Sequence, residues 1–278
     1  MTRAEGNVVF NIPRAAINFN DAFGGGNNLT LLSIWNACRQ SGDHGPINSW
    51  DRMPFLTDIA TGGVGPATYN AALSETSHSM IIANYGASQS FDNDDGSSWY
   101  DTHDNFFYDA SGFKMGELLN ASSSEQRHPA ELPLTLRRAP RNATLRNADY
   151  GGHDSRFHEN VIIAVHGQNC LGTASFVAGH ATSIYDNDCV VYGTERVDDL
   201  FENCDGPNLA PNVPINGYNN RFYTEHANAS ATCDCCGLRP IAGQAWAVGI
   251  ETNASALPLP SGDTIIGWGR AKLFGASG

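Results

Sequence analysis

Lysine is almost missing from this chain. Only Lys114 and Lys272 occur in 278 residues, and charged residues of all kinds make up 16%. Lys plus Arg number 16 against 29 Asp plus Glu, a net charge of −13. Phosphate backbones are held by clustered Lys and Arg, so nucleic acid is excluded as a partner and anionic membranes are disfavoured. No apolar run approaches the roughly 18–20 residues of a membrane span, so no membrane insertion is expected. Met1–Phe10 enters straight into a strand-like stretch, and a secretion signal is expected to lie upstream of it. The glycines of Asn20-Asp21-Ala22-Phe23-Gly24-Gly25-Gly26 lack the G-x-G-x-x-G spacing and a following helix signal, so they form a broad turn and no nucleotide loop. Asp21 is a candidate member of a polar face there. No nucleophile elbow or triad signature is present. His103, His153, His166 and His180 match no zinc spacing.

Glycine, proline and apolar residues are well supplied, with 29 Gly, 13 Pro and 41% hydrophobic residues. That suits one large, turn-rich β domain with its own core, 1–278, expected as a monomer. Sequons at Asn28, Asn120, Asn142, Asn228 and Asn253 lean toward a secreted, glycosylated protein, extracellular or at the cell surface. Seven cysteines, Cys38, Cys170, Cys189, Cys204, Cys233, Cys235 and Cys236, lean the same way, toward an oxidising compartment. The odd count leaves one over. Two of Cys170, Cys189 and Cys204 are expected to bridge. Cys233-Asp234-Cys235-Cys236 reads as disulfide cysteines, since no second C-x-x-C or paired His accompanies it.

A short phrase recurs: a polar lead-in, an Asn, then two or three apolar residues. It appears at Gly6–Phe10, Asn27–Leu32, His103–Phe107, His158–Ile163, Asp186–Val191 and Asn219–Tyr223. A solenoid of short strands predicts such a phrase once per coil, with the Asn amides bonding from coil to coil at a tight turn and the apolar residues filling the core. A sandwich would alternate polar and apolar residues more strictly. The fold predicted is therefore all-β, a right-handed parallel β-helix with a short C-terminal capping helix. That helix is expected in Ala256–Gly278, capped by Ser261 or Asp263 and stopped at Gly275, covering the unpaired strand edges of the last coil. One segment is foreign: Gly116–Ala148 holds five of the arginines, three Glu, three Pro and no aromatic. Asn105 and Asn160 are 55 positions apart, and removing these 33 residues leaves 22, one ordinary coil. Residues 116–148 are read as an inserted surface loop without order. The N-terminus shows no matching cap, so upstream coils are expected to be missing.

Several phrases carry a resemblance: Pro13–Asn27, Ser41–Arg52, Tyr150–Arg156, and a closing stretch from Ala245-Trp246 to Leu257-Pro258-Leu259-Pro260-Ser261. Together with the opening stretch they resemble secreted right-handed parallel β-helix proteins of the pectate-lyase-like superfamily, of the glycoside-hydrolase-like branch. The resemblance covers nearly the whole chain outside the insert. It implies acids projecting from neighbouring coils on one face. Relatives include glycoside hydrolases, polysaccharide lyases, epimerases and non-catalytic adhesins.

The densest acids lie in Asn84–Phe107, with Asp92, Asp94, Asp95, Asp101, Asp104 and His103. Read as a ladder step, His103–Phe107 leaves Asp92, Asp94 and Asp95 as the functional candidates, on a loop before the strand. They would act as an acid pair, hold a cation, or simply be a solvated acidic turn. No cofactor is required, and Ca²⁺ is the cation that alternating Asp oxygens would take. Asp43 and His44, one or two coils earlier, and His153 and Asp154, one coil later, would extend the same face. Trp50, Trp99 and Tyr100 are candidates for stacking on a sugar, and Asp51 and Arg52 for binding it, although His44 and Trp50 would also serve as turn fillers. Polyuronate lyases need a base for the C5 proton, and Arg is a poor one, so the supply of side chains favours paired-acid hydrolysis of a neutral or weakly charged glycan. The second reading is a non-catalytic β-helix that binds glycan or serves as a scaffold.

Overall fold

The computed structural model describes residues 2–20, 26–42, 44–50, 73–84, 89–94, 97–110, 112–115, 154–165, 170–173, 182–192, 201–202, 215–224 and 257–275. Short strands follow one another around successive coils. The first coil holds β1 (Arg3–Glu5), β2 (Val8–Phe10) and β3 (Ile17–Asn20). The second holds β4 (Asn28–Thr30), β5 (Ser33–Ala37) and β6 (Ile47–Trp50). The third holds β7 (Ser74–Ser77), β8 (Met80–Asn84) and β9 (Phe91–Asn93). The fourth holds β10 (Tyr100–His103), β11 (Phe106–Tyr108) and β12 (Phe113–Met115). The fifth holds β13 (Arg156–His158), β14 (Val161–Ala164) and β15 (Leu171–Thr173). β16 (Thr182–Tyr185), β17 (Asp188–Val191) and β18 (Phe201–Glu202) make the sixth. β19 (Ile215–Tyr218), β20 (Arg221–Thr224), β21 (Leu257–Pro258) and the helix α1 (Gly262–Phe274) complete the chain.

Every third strand pairs. The first sheet runs β1-β4-β7-β10-β13-β16-β19, the second β2-β5-β8-β11-β14-β17-β20-β21, and the third β18-β15-β12-β9-β6-β3. All pairings are parallel, so the molecule is a parallel β-helix, and crossovers between parallel strands favour the right-handed sense. Residues at one position of each strand point inward and stack on their equivalents in the next coil. In the second sheet these are Ile34, Ile81, Phe107, Ile162 and Cys189, all 1% exposed or less. Phe91 of the third sheet stacks on Phe113 at 6.4 Å between ring centres, and Phe113 on Phe157 at 4.7 Å. Each such buried side chain contributes about 1.5–3 kcal/mol by leaving water.

The turn from the first sheet to the second repeats in every coil. Its leading residue is left-handed, with φ of 65° at Gly6, 56° at Leu31, 49° at His78, 53° at Asp104, 54° at Glu159, 55° at Asp186 and 54° at Asn219. The residue after it starts the expected ladder. Asn105 donates its amide to Asn160 Oδ1 at 3.0 Å, Asn160 to Asn187 Oδ1 at 3.1 Å, and Asn187 to Asn220 Oδ1 at 2.9 Å. Each also donates to a carbonyl of the first-sheet strand one coil earlier, as Asn160 does to Thr102 O at 2.9 Å. The ladder ends below Asn105. Ser79 and Leu32 occupy the next two positions, with Ser79 N donating to Asn105 Oδ1 and Leu32 N to Ser79 Oγ. The phrase at Asn27–Leu32 is a different one: Asn28 opens β4 in the first sheet, and its amide donates to Glu75 Oε2 at 3.1 Å. Asn105 and Asn160 are adjacent rungs, so a single coil spans their 55 positions. The segment 116–148 lies outside the described residues.

Ser261 caps α1 by accepting from Thr264 N at 3.2 Å, and the Gly275 N–H closes it on Ala271 O. The helix was expected across the last coil. It instead runs back along the flank of the second sheet. Ile265, Trp268, Gly269 and Lys272 recur at helical spacing and form the contact face: Ile265 joins Phe106, Val161, Ile163 and Val190 in a second apolar cluster. Trp268 meets Tyr223 at 5.4 Å, and a Cβ on Gly269 would already lie 3.3 Å from the Phe106 ring. The outward residues of that sheet are apolar and need a cover more than the strand edge does. Cys170 and Cys189 form a disulfide, and Cys38 is a free, buried thiol among the described residues.

Candidate functional site

The third sheet carries Asp92, with Asp94 just past the same strand. Asp92 and its neighbour Asn93 lie within β9, so Asp92 is a strand residue where a loop is expected, and Asp94 follows the strand. Phe91 and Asn93 face inward, Asn93 accepting from Ser49 Oγ at 2.7 Å. Alternation along a strand sets Asp92 on the face opposite these two, and Asp94, just past the end of β9, follows about 7 Å further along an extended chain. Asp94 N donates to Ser49 O at 2.9 Å. The pairing of β6 with β9 sets Asn48 beside Asp92, and continuing that register sets Trp50 beside Asp94. Asp92 is nonetheless fully buried, at 0% exposure, whereas Asp94 and Trp50 are half-buried. Among the described residues no group of three or more His, Cys, Asp and Glu is placed to hold a metal, and Asp95, the third acid of this run, lies outside them.

His44 lies at the corner where the chain enters the third sheet. Arg14 Nη2 is 2.6 Å from His44 Nε2, and Ser41 Oγ is 2.5 Å from Nδ1. A guanidinium only donates, so Nε2 accepts and the ring proton sits on Nδ1, toward Ser41. Gly45 is required here: a Cβ on it would overlap the Gln89 carbonyl and approach Asp92 Cβ to 2.7 Å, while Gly42 has nothing within 4 Å. The thiol of Cys38 is pushed up to about 12, first by burial and then by the charge of Asp92, with Arg14 opposing. It is no nucleophile in that state.

The remaining candidates separate. Tyr100 is a core residue at 3% exposure, its ring 6.0 Å from Phe91 and 6.5 Å from Phe19, with no face left to stack on a sugar. Trp99 and Asp154 are half-buried and left-handed, with φ of 61° and 53°, at equivalent corners leading into the first sheet in successive coils. Asp43, Asp51, Arg52, Asp95 and His153 lie outside the described residues, as does Asp21.

A second cluster lies on the outer face of the first sheet, built from residues taken for ladder steps. His103 Nδ1 is 3.0 Å from Asp104 Oδ2, and its Nε2 is 3.4 Å from Glu75 Oε1, one coil earlier. His158 repeats the pattern, with Nδ1 3.1 Å from Glu159 and Nε2 2.9 Å from Asp101. The two imidazoles stack at 5.1 Å, and Tyr185 stacks on His158 at 4.6 Å. Lys272 from α1 bonds Asp104 Oδ1 at 2.8 Å, and His78 Nδ1 donates to the Lys272 carbonyl at 2.8 Å. Arg156 lies 3.6 Å from Asp101. The His103 bond, then Lys272, hold the Asp104 carboxyl well below the usual carboxylate range. Burial alone would raise Asp101, but the His158 bond and the charges of His158, His103 and Arg156 outweigh it and hold it low. His103 is raised above its ordinary value, chiefly by its bond to Asp104 and then by the charges of Asp101, Asp104 and Glu75, against the opposing effect of burial. The signal for this cluster was in the sequence: His103-Asp104-Asn105 and His158-Glu159-Asn160 are the same triplet, imidazole, acid, ladder Asn.

No family model, curated protein or solved structure matches this chain.

Proposed function

We propose that this chain is the β-helix of a secreted carbohydrate-active protein of the pectate-lyase-like kind, and that it hydrolyses a neutral or weakly charged polysaccharide with the outer face of the third sheet as its site. The observation that carries this reading is the placing of two acids at alternate positions of the third sheet, Asp92 within β9 and Asp94 just past its end, next to the strand β6 that closes on Trp50. Their backbone spacing of about 7 Å suits the carboxyl separations of roughly 5–9.5 Å used by glycoside hydrolases. The contrast between a buried Asp92 and a half-buried Asp94 gives the two acids different surroundings, as an acid and base pair requires. Trp50 offers an apolar ring, and Gly45 lets the neighbouring backbone close against Asp92. The Cys170–Cys189 disulfide fits an oxidising compartment, and an extracellular location with a glycan as partner follows from the same reading.

One observation favours the alternative, a glycan-binding or scaffold β-helix without catalysis: Asp92 has no exposed surface, so a sugar reaches it only if its cover moves. A hydrolysis screen over neutral and acidic polysaccharides separates the two. Reducing ends that accumulate with the wild type and fall at least 100-fold in Asp92→Asn and Asp94→Asn support hydrolysis. Glycan binding without products, unaltered in both variants, supports the alternative. Unsaturated products would point instead to a lyase.

A further inference from the structure

The imidazole–carboxylate ladder on the first sheet is far from the acids of the third sheet in the fold, and the proposed hydrolysis does not use it. Its geometry has a chemical requirement. A carboxylate only accepts hydrogen bonds, so an imidazole between two carboxylates satisfies both only with a proton on each nitrogen. His103 is so placed between Asp104 at 3.0 Å and Glu75 at 3.4 Å, and His158 between Glu159 at 3.1 Å and Asp101 at 2.9 Å. Each ring bonds an acid of its own turn; His158 also bonds Asp101 of the coil before, while His103 faces Glu75 of the coil before as a longer ion pair, so each is a tie between coils.

We propose that this ladder is a pH-sensitive clamp: with His103 as imidazolium it ties the third coil to the fourth across the first sheet, and with His103 neutral the tie to Glu75 is lost. Groups from every neighbouring element decide which contact gives way. Glu75 of β7 and Asp101 of β10 are the acids facing His103 from the sheet, and Asp104 from its own turn. Positive partners are Lys272 of α1, bound to Asp104, and Arg156 of β13, beside Asp101. His158 stacks on the ring from the next coil, and His78 meets it edge-on at 6.4 Å from the turn after β7. Asp104 is anchored by Lys272 and keeps the one remaining ring proton on Nδ1. Neutral Nε2 then turns a lone pair toward Glu75, the longer and weaker contact. Glu75 also accepts from Ser77 and Asn28, which hold it in place.

The sign follows from linkage. His103 is raised above 6.5, so its contribution is fully present below about 6.5 and is lost as pH rises through its higher folded value. Over that window the folding equilibrium constant of the full chain falls by up to about tenfold per pH unit for the one proton involved. The test is equilibrium unfolding between about pH 5.5 and 9 on the wild type, His103→Gln and Glu75→Gln, with ring titration of His103 by NMR on the wild type. The expected result is a loss of wild-type stability across the window, clearly smaller in His103→Gln. In Glu75→Gln the dependence remains but shifts down toward 6.5. Two results would overturn the clamp: the wild-type slope persisting in His103→Gln, or a ring midpoint at or below 6.5. The ring titration needs no variant, so it decides the matter even where His103→Gln fails to fold.

Discussion

Asn160→Ala should be among the most destabilising single changes in the solenoid. The Asn160 side chain is 0% exposed and makes four hydrogen bonds. Its Nδ2 donates to Thr102 O at 2.9 Å and to Asn187 Oδ1 at 3.1 Å. Its Oδ1 accepts from Asn105 N and Asn105 Nδ2, both at 3.0 Å. Truncation does not affect these partners equally. Asn105 Nδ2 keeps Thr76 O, and Asn187 Oδ1 keeps the Asn160 backbone N–H. Asn105 N–H and Thr102 C=O lose the bonds that Asn160 gave them, in a site that water does not reach. Each buried polar group stranded in this way costs about 1–3 kcal/mol, so the change costs roughly 2–6 kcal/mol, with about 4 as the central value. Asn220→Ala is the internal control. Asn220 is only part-buried, and water replaces much of what it loses, so about 1–2 kcal/mol is expected. Urea unfolding measures both, and amide exchange at Asn105 localises the effect. Solenoids are nearly one-dimensional, so the exchange gain should concentrate in the fourth to sixth coils. The reasoning is refuted if Asn160→Ala costs less than about 1 kcal/mol, or no more than Asn220→Ala.

Two further outcomes test the corners and the staple. Gly45→Ala drives a Cβ into the Gln89 carbonyl and against Asp92, and should cost about 1–3 kcal/mol, while Gly42→Ala, with open space around it, should stay within about 0.5 kcal/mol in the same unfolding assay. Replacing Cys170 and Cys189 by Ser opens a loop of sequence separation 19 and should cost about 3 kcal/mol, read as a drop in melting temperature that a reductant reproduces in the wild type; an unchanged wild-type melt under reductant would contradict it.

The repeating phrase around Asn105, Asn160, Asn187 and Asn220 was legible because its cause is local. A left-handed residue, an amide that bonds along the stack and an inward apolar residue must all fall within a few positions of each coil. The β-helix, the terminal helix and a bridge among the middle cysteines follow from patterns of that kind. The register between coils does not. Successive ladder positions are separated by 47, 26, 55, 27 and 33 residues, because the connections outside the strands differ in length. Only the folded stack sets Glu75 against His103 and Asp101 against His158, or turns Tyr100 into the core while Trp99 beside it stays half-buried. Lys272, one of the chain's two lysines, reaches Asp104 across 168 positions because α1 lies on the flank of the second sheet. The sequence by itself determined what each coil is made of, since turn sterics and burial act over a few residues. The tertiary structure alone decided which coils' side chains meet, because that depends on pairing between strands far apart in the chain.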